Sequence, residues 1–136
     1  MKVIHNIMLL RDNGDIEYHD VEGEWNEEGS GGPSFKPLCK LLDCSMIEIA
    51  YGMLPDSTKE HTIFLNEEGL YKEDNEMNPF ATLMQRRWCK ANNRMQISPI
   101  VGDVAVDLGL CNESLSIVSH YLEGDEHDRE NYPAQT

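Results

Sequence analysis

The sequence is short of basic residues and has no long hydrophobic run. Only 11 of its 136 residues are lysine or arginine, against 25 aspartate and glutamate residues, so the formal net charge is −14. Its longest apolar stretches, such as 7–10, span four to five residues, whereas a membrane-crossing helix needs about 20. These absences argue against an integral membrane protein. The negative charge also argues against binding to duplex DNA, whose phosphates would repel the protein.

Cysteines at metal-binding spacing are missing as well. The four cysteines are Cys39, Cys44, Cys89 and Cys111. A structural zinc site usually draws on Cys-x2-Cys or Cys/His pairs, so we expect free, buried thiols and no metal. The first residues have neither the apolar core nor the cleavage site of a secretory leader, which predicts a location in the host cell cytoplasm.

No catalytic signature is present. The five histidines have no serine, cysteine or carboxylate partner at the spacing of a known catalytic constellation. The glycines at 29–32 do not lead from a strand into a lysine-bearing helix, as a phosphate-binding loop does. We therefore predict a binding protein that is not an enzyme and needs no cofactor.

The hydrophobic pattern predicts a small α+β domain. Strands are predicted from apolar segments, several of them alternating with polar residues, at 3–10, 16–21, 46–54, 61–65 and 104–106. Helices are predicted over 34–42, from Asn78 onward, and over 114–122. We expect one α+β domain at 1–122, with a mostly antiparallel sheet and two or three helices. An acidic, disordered C-terminal tail is predicted at 123–136.

Short stretches in a fixed order resemble a known family. They are 46–49, 63–69, Asn78 with 81–82, and 100–106. Over residues 46–122 their order and spacing are similar to a domain of unknown function, number thirty-eight forty-six, found in phages, plasmids and bacterial genomes. The resemblance implies a small α+β fold and a mobile-element setting, and it implies no chemistry. The sequence departs from the family pattern at 22–34 and 84–96.

One segment, 77–102, contains no acidic residue and holds four of the 11 basic residues. These are Arg86, Arg87, Lys90 and Arg94. On a helix that begins at Asn78, three of them follow at four-residue steps and form a ridge, namely Arg86, Lys90 and Arg94. The apolar stripe predicted to face the core contains Phe80, Leu83, Met84, Trp88 and Ala91.

Two interpretations of this basic ridge stay open. It neutralises acidic residues elsewhere in the fold or in a second protomer, which predicts a homo-oligomer. Alternatively it binds a small anion, with the four basic residues on phosphate and Trp88 or Tyr71 stacked on a base. The second interpretation predicts an accessory protein of a phage, virus or plasmid that sequesters a nucleotide-type ligand stoichiometrically and so counters host defence.

The acidic surface supports a different hypothesis. Several carboxylates crowd one turn and the stretch after it, namely Glu67, Glu68, Glu73 and Asp74. A carboxylate array on a rigid sheet can imitate DNA phosphates and inhibit a host nucleic-acid enzyme, which would then be the protein partner. A structural or regulatory subunit, whose carboxylates only keep the surface solvated, is the third alternative.

Overall fold

A computed structural model describes residues 1–26, 31–69, 76–96 and 98–120. This part of the chain contains five strands, β1 (Lys2–Leu10), β2 (Ile16–Glu24), β3 (Ile47–Met53), β4 (Glu60–Asn66) and β5 (Val104–Leu110). Its helices are α1 (Phe35–Leu42), α2 (Pro79–Ala91) and α3, which includes residues 112–120. The strands form one antiparallel sheet in the order β2-β1-β5-β4-β3. The predicted α+β class is confirmed.

Each face of the sheet is covered by a helix. Alternate residues of a strand point to opposite faces, so the central strands supply two cores. The core on the α1 side includes Ile7, Leu9, Leu38, Leu42 and Ala105. The core on the α2 side includes Met8, Leu10, Ala81, Met84, Val104 and Val106. Because both faces of β1 are buried near its end, its sequence there is a continuous apolar run.

Helix α2 begins where the sequence predicts because Asn78 is its N-cap. The side-chain oxygen of Asn78 accepts a hydrogen bond from the Ala81 backbone N–H at 3.1 Å, and Pro79 occupies the first turn. The side-chain amide donates to the carbonyl oxygens of Leu10 and Gly102, both at 2.9 Å. Asn78 is completely buried, so it ties the helix to the end of β1 and to the turn before β5.

The buried face of α2 differs from the predicted one. The residues expected in the core but found exposed are Phe80, Leu83 and Ala91. Buried positions outside the predicted stripe are Ala81, Thr82 and Cys89. Thr82 turns inward because its hydroxyl group donates to the Ile100 carbonyl at 3.3 Å and accepts from the Ile100 N–H at 3.0 Å. A hydroxyl group with two buried partners fits a core position, which hydropathy alone does not reveal.

Helix α2 packs closely on the edge strand β3, at Gly52. A Cβ atom at Gly52 would lie 2.6 Å from the Cδ1 atom of Ile63 and 3.0 Å from the Cβ atom of Met84. Glycine is therefore required for this approach of helix and strand. The contact places α2 over β3, at the edge of the sheet.

Two further expectations concern the chain outside these elements. Strand β2 runs to Glu24, so the predicted loop at 22–34 begins later than expected. The predicted tail at 123–136 lies outside the described residues. Within the described ranges, no helix has the length and apolar character needed to cross a membrane.

Candidate ligand-binding site

The C-terminal end of α2 is a tight reversal of the chain. Asn93 adopts a left-handed conformation (φ 57°), and its N–H donates to the Lys90 carbonyl at 3.4 Å. The N–H of Arg94 donates to the Cys89 carbonyl at 2.8 Å, which completes a Schellman motif. Because the helix ends at Ala91, Arg94 does not continue the predicted basic ridge.

This reversal brings Arg94 over the indole ring of Trp88. The guanidinium carbon lies 5.8 Å from the ring centroid, a distance typical of a cation–π contact. Tyr51 of β3 also contacts the indole, with the ring centroids 5.4 Å apart and the planes inclined by 32°. The indole N–H donates to the Glu60 carboxylate at 2.6 Å. These three contacts fix the orientation of Trp88.

A cavity of about 450 Å³ opens beside Trp88 and Arg94. It lies between the C-terminal half of α2, the β3–β4 hairpin and the residues at 94–96 and 98–101. Its volume falls in the range of about 300–1,000 Å³ that is typical of small-molecule sites. The lining side chains that carry charge, amide groups or an aromatic ring include Glu48, Glu67, Gln85, Trp88, Arg94 and Gln96.

Opposite charges line this cavity without pairing. Glu48 stands opposite Leu65 in the β3–β4 register, and Glu67 follows Leu65 by two positions, so both belong to the face of the sheet covered by α2. The side chains of Arg94, Glu48 and Glu67 form no ion pair with one another or with any other residue that the structure describes. The cavity therefore offers both a cationic and an anionic group.

Two glutamine side chains form a small network at the wall of the cavity. The Gln96 amide group donates to the Thr82 carbonyl and to the Gln85 side-chain oxygen, both at 3.0 Å. The Gln96 side-chain oxygen accepts from the Arg86 Nε at 3.5 Å. Gln85 lines the cavity, and its amide nitrogen has no acceptor within the described chain.

The structure separates the predicted basic residues into two groups. Trp88 and Arg94 line the cavity, and Arg86 reaches its wall through the contact with Gln96. Arg87 and Lys90 are exposed on the outer surface of α2 and pair with no carboxylate among the described residues. Neutralisation of these two by a second protomer stays a prediction.

The predicted acidic residues are also divided. Glu67 lines the cavity, whereas Glu68 lines a separate surface depression together with Asp43. The remaining predicted site residues lie outside the described residues, namely Tyr71, Glu73 and Asp74. The hypothesis of a DNA-imitating surface therefore stays a prediction.

Sequence reasoning missed four residues of this site. They are Glu48, Tyr51, Gln85 and Gln96. Two of them, Gln85 and Gln96, lie on or just after α2, close to the predicted basic residues. The sequence gives only a weak indication that Glu48 belongs to a site, namely that it is a charged residue in a strand with few polar side chains.

Other reactive side chains lie away from this cavity. The buried ring of His5 contacts the Asp107 carboxylate through Nδ1 at 3.1 Å. The pKa of the Cys111 thiol is lowered because Ser114 hydrogen-bonds to it at the start of α3. All four cysteines are free, as predicted, but only Cys89 is buried. No three His, Cys, Asp or Glu side chains in the described ranges are grouped to hold a metal ion.

No protein-family model matches this chain, and no curated protein or solved structure matches it either. The resemblance over 46–122 to a domain of unknown function therefore stays a prediction.

Proposed function

We propose that the protein binds a small anionic ligand of nucleotide type in the cavity beside Trp88 and Arg94. The main support for this proposal is the position of the Arg94 guanidinium group and its lack of an ion pair. Its guanidinium group is held on an indole face at the cavity, and it has no carboxylate partner in the described part of the chain. A free guanidinium group presents the planar, two-pronged set of donors that suits phosphate.

Trp88 supports the nucleotide character of the ligand. Trp88 is half-buried and lines the cavity, and the part of its indole ring that Arg94 and Tyr51 leave uncovered would stack on a planar base. Stacking of a base on an aromatic side chain contributes about 1–3 kcal/mol. An arginine and an aromatic ring that already contact each other present phosphate and base recognition together, at little additional ordering cost.

The charge of the protein limits the charge of the ligand. One guanidinium group and two carboxylates line the cavity, and the whole chain has a net charge of −14. Repulsion between exposed charges extends over a Debye length of about 8 Å at physiological salt. A monophosphate or a cyclic nucleotide therefore suits this cavity better than a triphosphate or a long polyanion.

The biological setting is proposed from the resemblance over 46–122 and not from the cavity. Stoichiometric binding of a nucleotide signal in the cytoplasm, without catalysis, would allow an accessory protein of a phage, virus or plasmid to withdraw that signal from host defence. Such a role needs high affinity and abundance, and it needs no catalytic constellation.

Calorimetry with two matched variants tests the proposed site. The protein is titrated with mono-, di- and cyclic nucleotides. We expect Arg94→Gln to weaken binding by about tenfold to hundredfold, because a charge-assisted hydrogen bond to phosphate is lost. Arg87→Gln makes the same change of charge on the outer surface of α2, so we expect it to leave the affinity unchanged.

Two results would contradict this proposal. The first is the absence of heat and of any thermal shift with every nucleotide at millimolar concentration. The second is an equal loss of affinity in Arg87→Gln and Arg94→Gln, which would place the ligand on the outer surface of the helix. Melting temperatures of both variants show whether a loss of affinity reflects unfolding.

A further inference from the structure

We infer that the base of the ligand is guanine-like and that the carboxylate of Glu48 or Glu67 accepts its hydrogen-bond donors. The inference rests on the proposed function and names the ligand class more narrowly. It is carried by the arrangement of charge: two carboxylates and the Arg94 guanidinium group line one cavity, yet they form no ion pair with one another.

The separation of these charges has a structural cause. Arg94 is held against Trp88 by the reversal of the chain after α2. Glu48 belongs to β3, and Glu67 directly follows β4, where its backbone N–H bonds to the Met46 carbonyl at 3.1 Å. A rigid hairpin and a capped helix end thus present acceptors and donors from different sides of the cavity. This arrangement suits a ligand with an anionic end and a donor end.

Among the purine bases, guanine has the matching edge. Its N1–H and 2-amino groups are adjacent donors, and the two oxygens of a carboxylate accept both together. Its O6 atom is an acceptor, and the free amide nitrogen of Gln85 is a donor at the same cavity. Adenine presents an unprotonated N1 next to its amino group. One oxygen of a facing carboxylate therefore receives no hydrogen bond and is repelled by the lone pair of N1.

The test compares guanosine, inosine and adenosine monophosphates by calorimetry on the full chain. We expect inosine monophosphate to bind about tenfold more weakly than guanosine monophosphate, because it lacks the 2-amino donor. Adenosine monophosphate should bind about a hundredfold more weakly, since N1 opposes the carboxylate.

Glutamine variants identify the carboxylate that contacts the base. We expect Glu48→Gln or Glu67→Gln to weaken guanosine monophosphate at least tenfold and to leave adenosine monophosphate unchanged or slightly tighter. The two ligands respond differently because the variant removes an acceptor that guanine needs, whereas for adenine it removes a carboxylate that faces the unprotonated N1. Glu68→Gln is the matched control, since Glu68 lines a different depression.

The outcomes separate this inference from the proposed function. Equal affinity for the three monophosphates, or a preference for adenosine monophosphate, overturns the inference and leaves nucleotide binding in place. An equal effect of all three glutamine variants also overturns it, because the carboxylates then act only through overall charge. Absence of binding by all three ligands at millimolar concentration, together with the rest of the nucleotide panel, overturns the proposed function itself.

Discussion

The two ends of α2 use polar side chains in opposite ways. At the N-terminal end, Asn78 makes three hydrogen bonds and the Thr82 hydroxyl group makes two, all of them buried. At the C-terminal end, Arg94 lines a cavity together with Glu48 and Glu67, and none of the three side chains forms an ion pair among the described residues. A satisfied buried network fixes a structure, whereas unsatisfied groups around a cavity remain available to a ligand.

Charged side chains on the protein surface near the N-terminal end of α2 are also paired. The guanidinium group of Arg11 donates to Glu17 at 2.8 Å and to Asp103 at 2.9 Å. Arg11 directly follows Leu10, and Asp103 directly follows Gly102, so this ion-pair network adjoins the two carbonyl groups that Asn78 holds. Arginine thus forms ion pairs near one end of α2, whereas at the other end Arg94 forms none among the described residues.

The largest difference between the two ends of α2 is expected when the side chain of Asn78 is removed. We expect Asn78→Ala to lower the free energy of unfolding by about 3 kcal/mol or more, because it removes the helix cap and leaves two buried carbonyl groups without a donor. Denaturant unfolding measures the change. Asn92→Ala is the control at the other end, where the exposed amide only donates to the Trp88 carbonyl. A loss of similar size in both variants would refute the contrast between the two ends.

The middle of the helix offers a second, smaller test. A methyl group in Gly52→Ala would meet the Ile63 Cδ1 atom at 2.6 Å and the Met84 Cβ atom at 3.0 Å, so the buried Ile63 side chain must shift and α2 must give by a few tenths of an ångström. We expect a loss of about 1–3 kcal/mol, typical of overpacking. Gly32→Ala is the control, because no heavy atom lies within 4 Å of its added methyl group. Thermal unfolding of both variants measures the difference, and equal stability would show that the helix does not depend on this close approach.

The sequence predicted the parts of the fold that follow from local rules. The two hairpins, the N-cap at Asn78 and the strand after Gly102 are present where turn residues and hydrophobic patterns place them. Two residues of these segments have structural roles, since Asn78 caps α2 and Asp103 binds Arg11 and the Asp12 N–H. Such residues help to predict the fold, but they do not indicate a ligand.

The sequence did not predict which side of α2 is buried, or the cavity. Hydropathy placed Phe80 inside and Thr82 outside, because it cannot show that the backbone of Ile100 satisfies the Thr82 hydroxyl group. The contact of Arg94 with Trp88 depends on a reversal at Asn93, which a regular helical spacing does not contain. Both failures concern contacts between segments distant in the chain or outside regular helix geometry.

The surface ion pairs beside Asn78 provide the test with the smallest expected effect. The Arg11 guanidinium group, with a further hydrogen bond from His19, lowers the pKa of the Glu17 carboxyl from its ordinary value of 4.5 to about 2. A carboxyl whose pKa is lowered by folding stabilises the folded protein at pH values above the unfolded pKa. That contribution is lost as the pH falls through the folded pKa, here between pH 4.5 and about 2.

We therefore expect Glu17→Gln to melt slightly below the wild-type protein at neutral pH and at the same temperature near pH 2. The difference should stay small, because the pair is exposed, and it should shrink further in high salt. Melting curves from pH 7 to pH 2 measure it. Glu68→Gln is the control, since the Glu68 carboxylate has no ion pair within the described residues. A difference that grows as the pH falls would show that Arg11 does not stabilise the folded protein through Glu17.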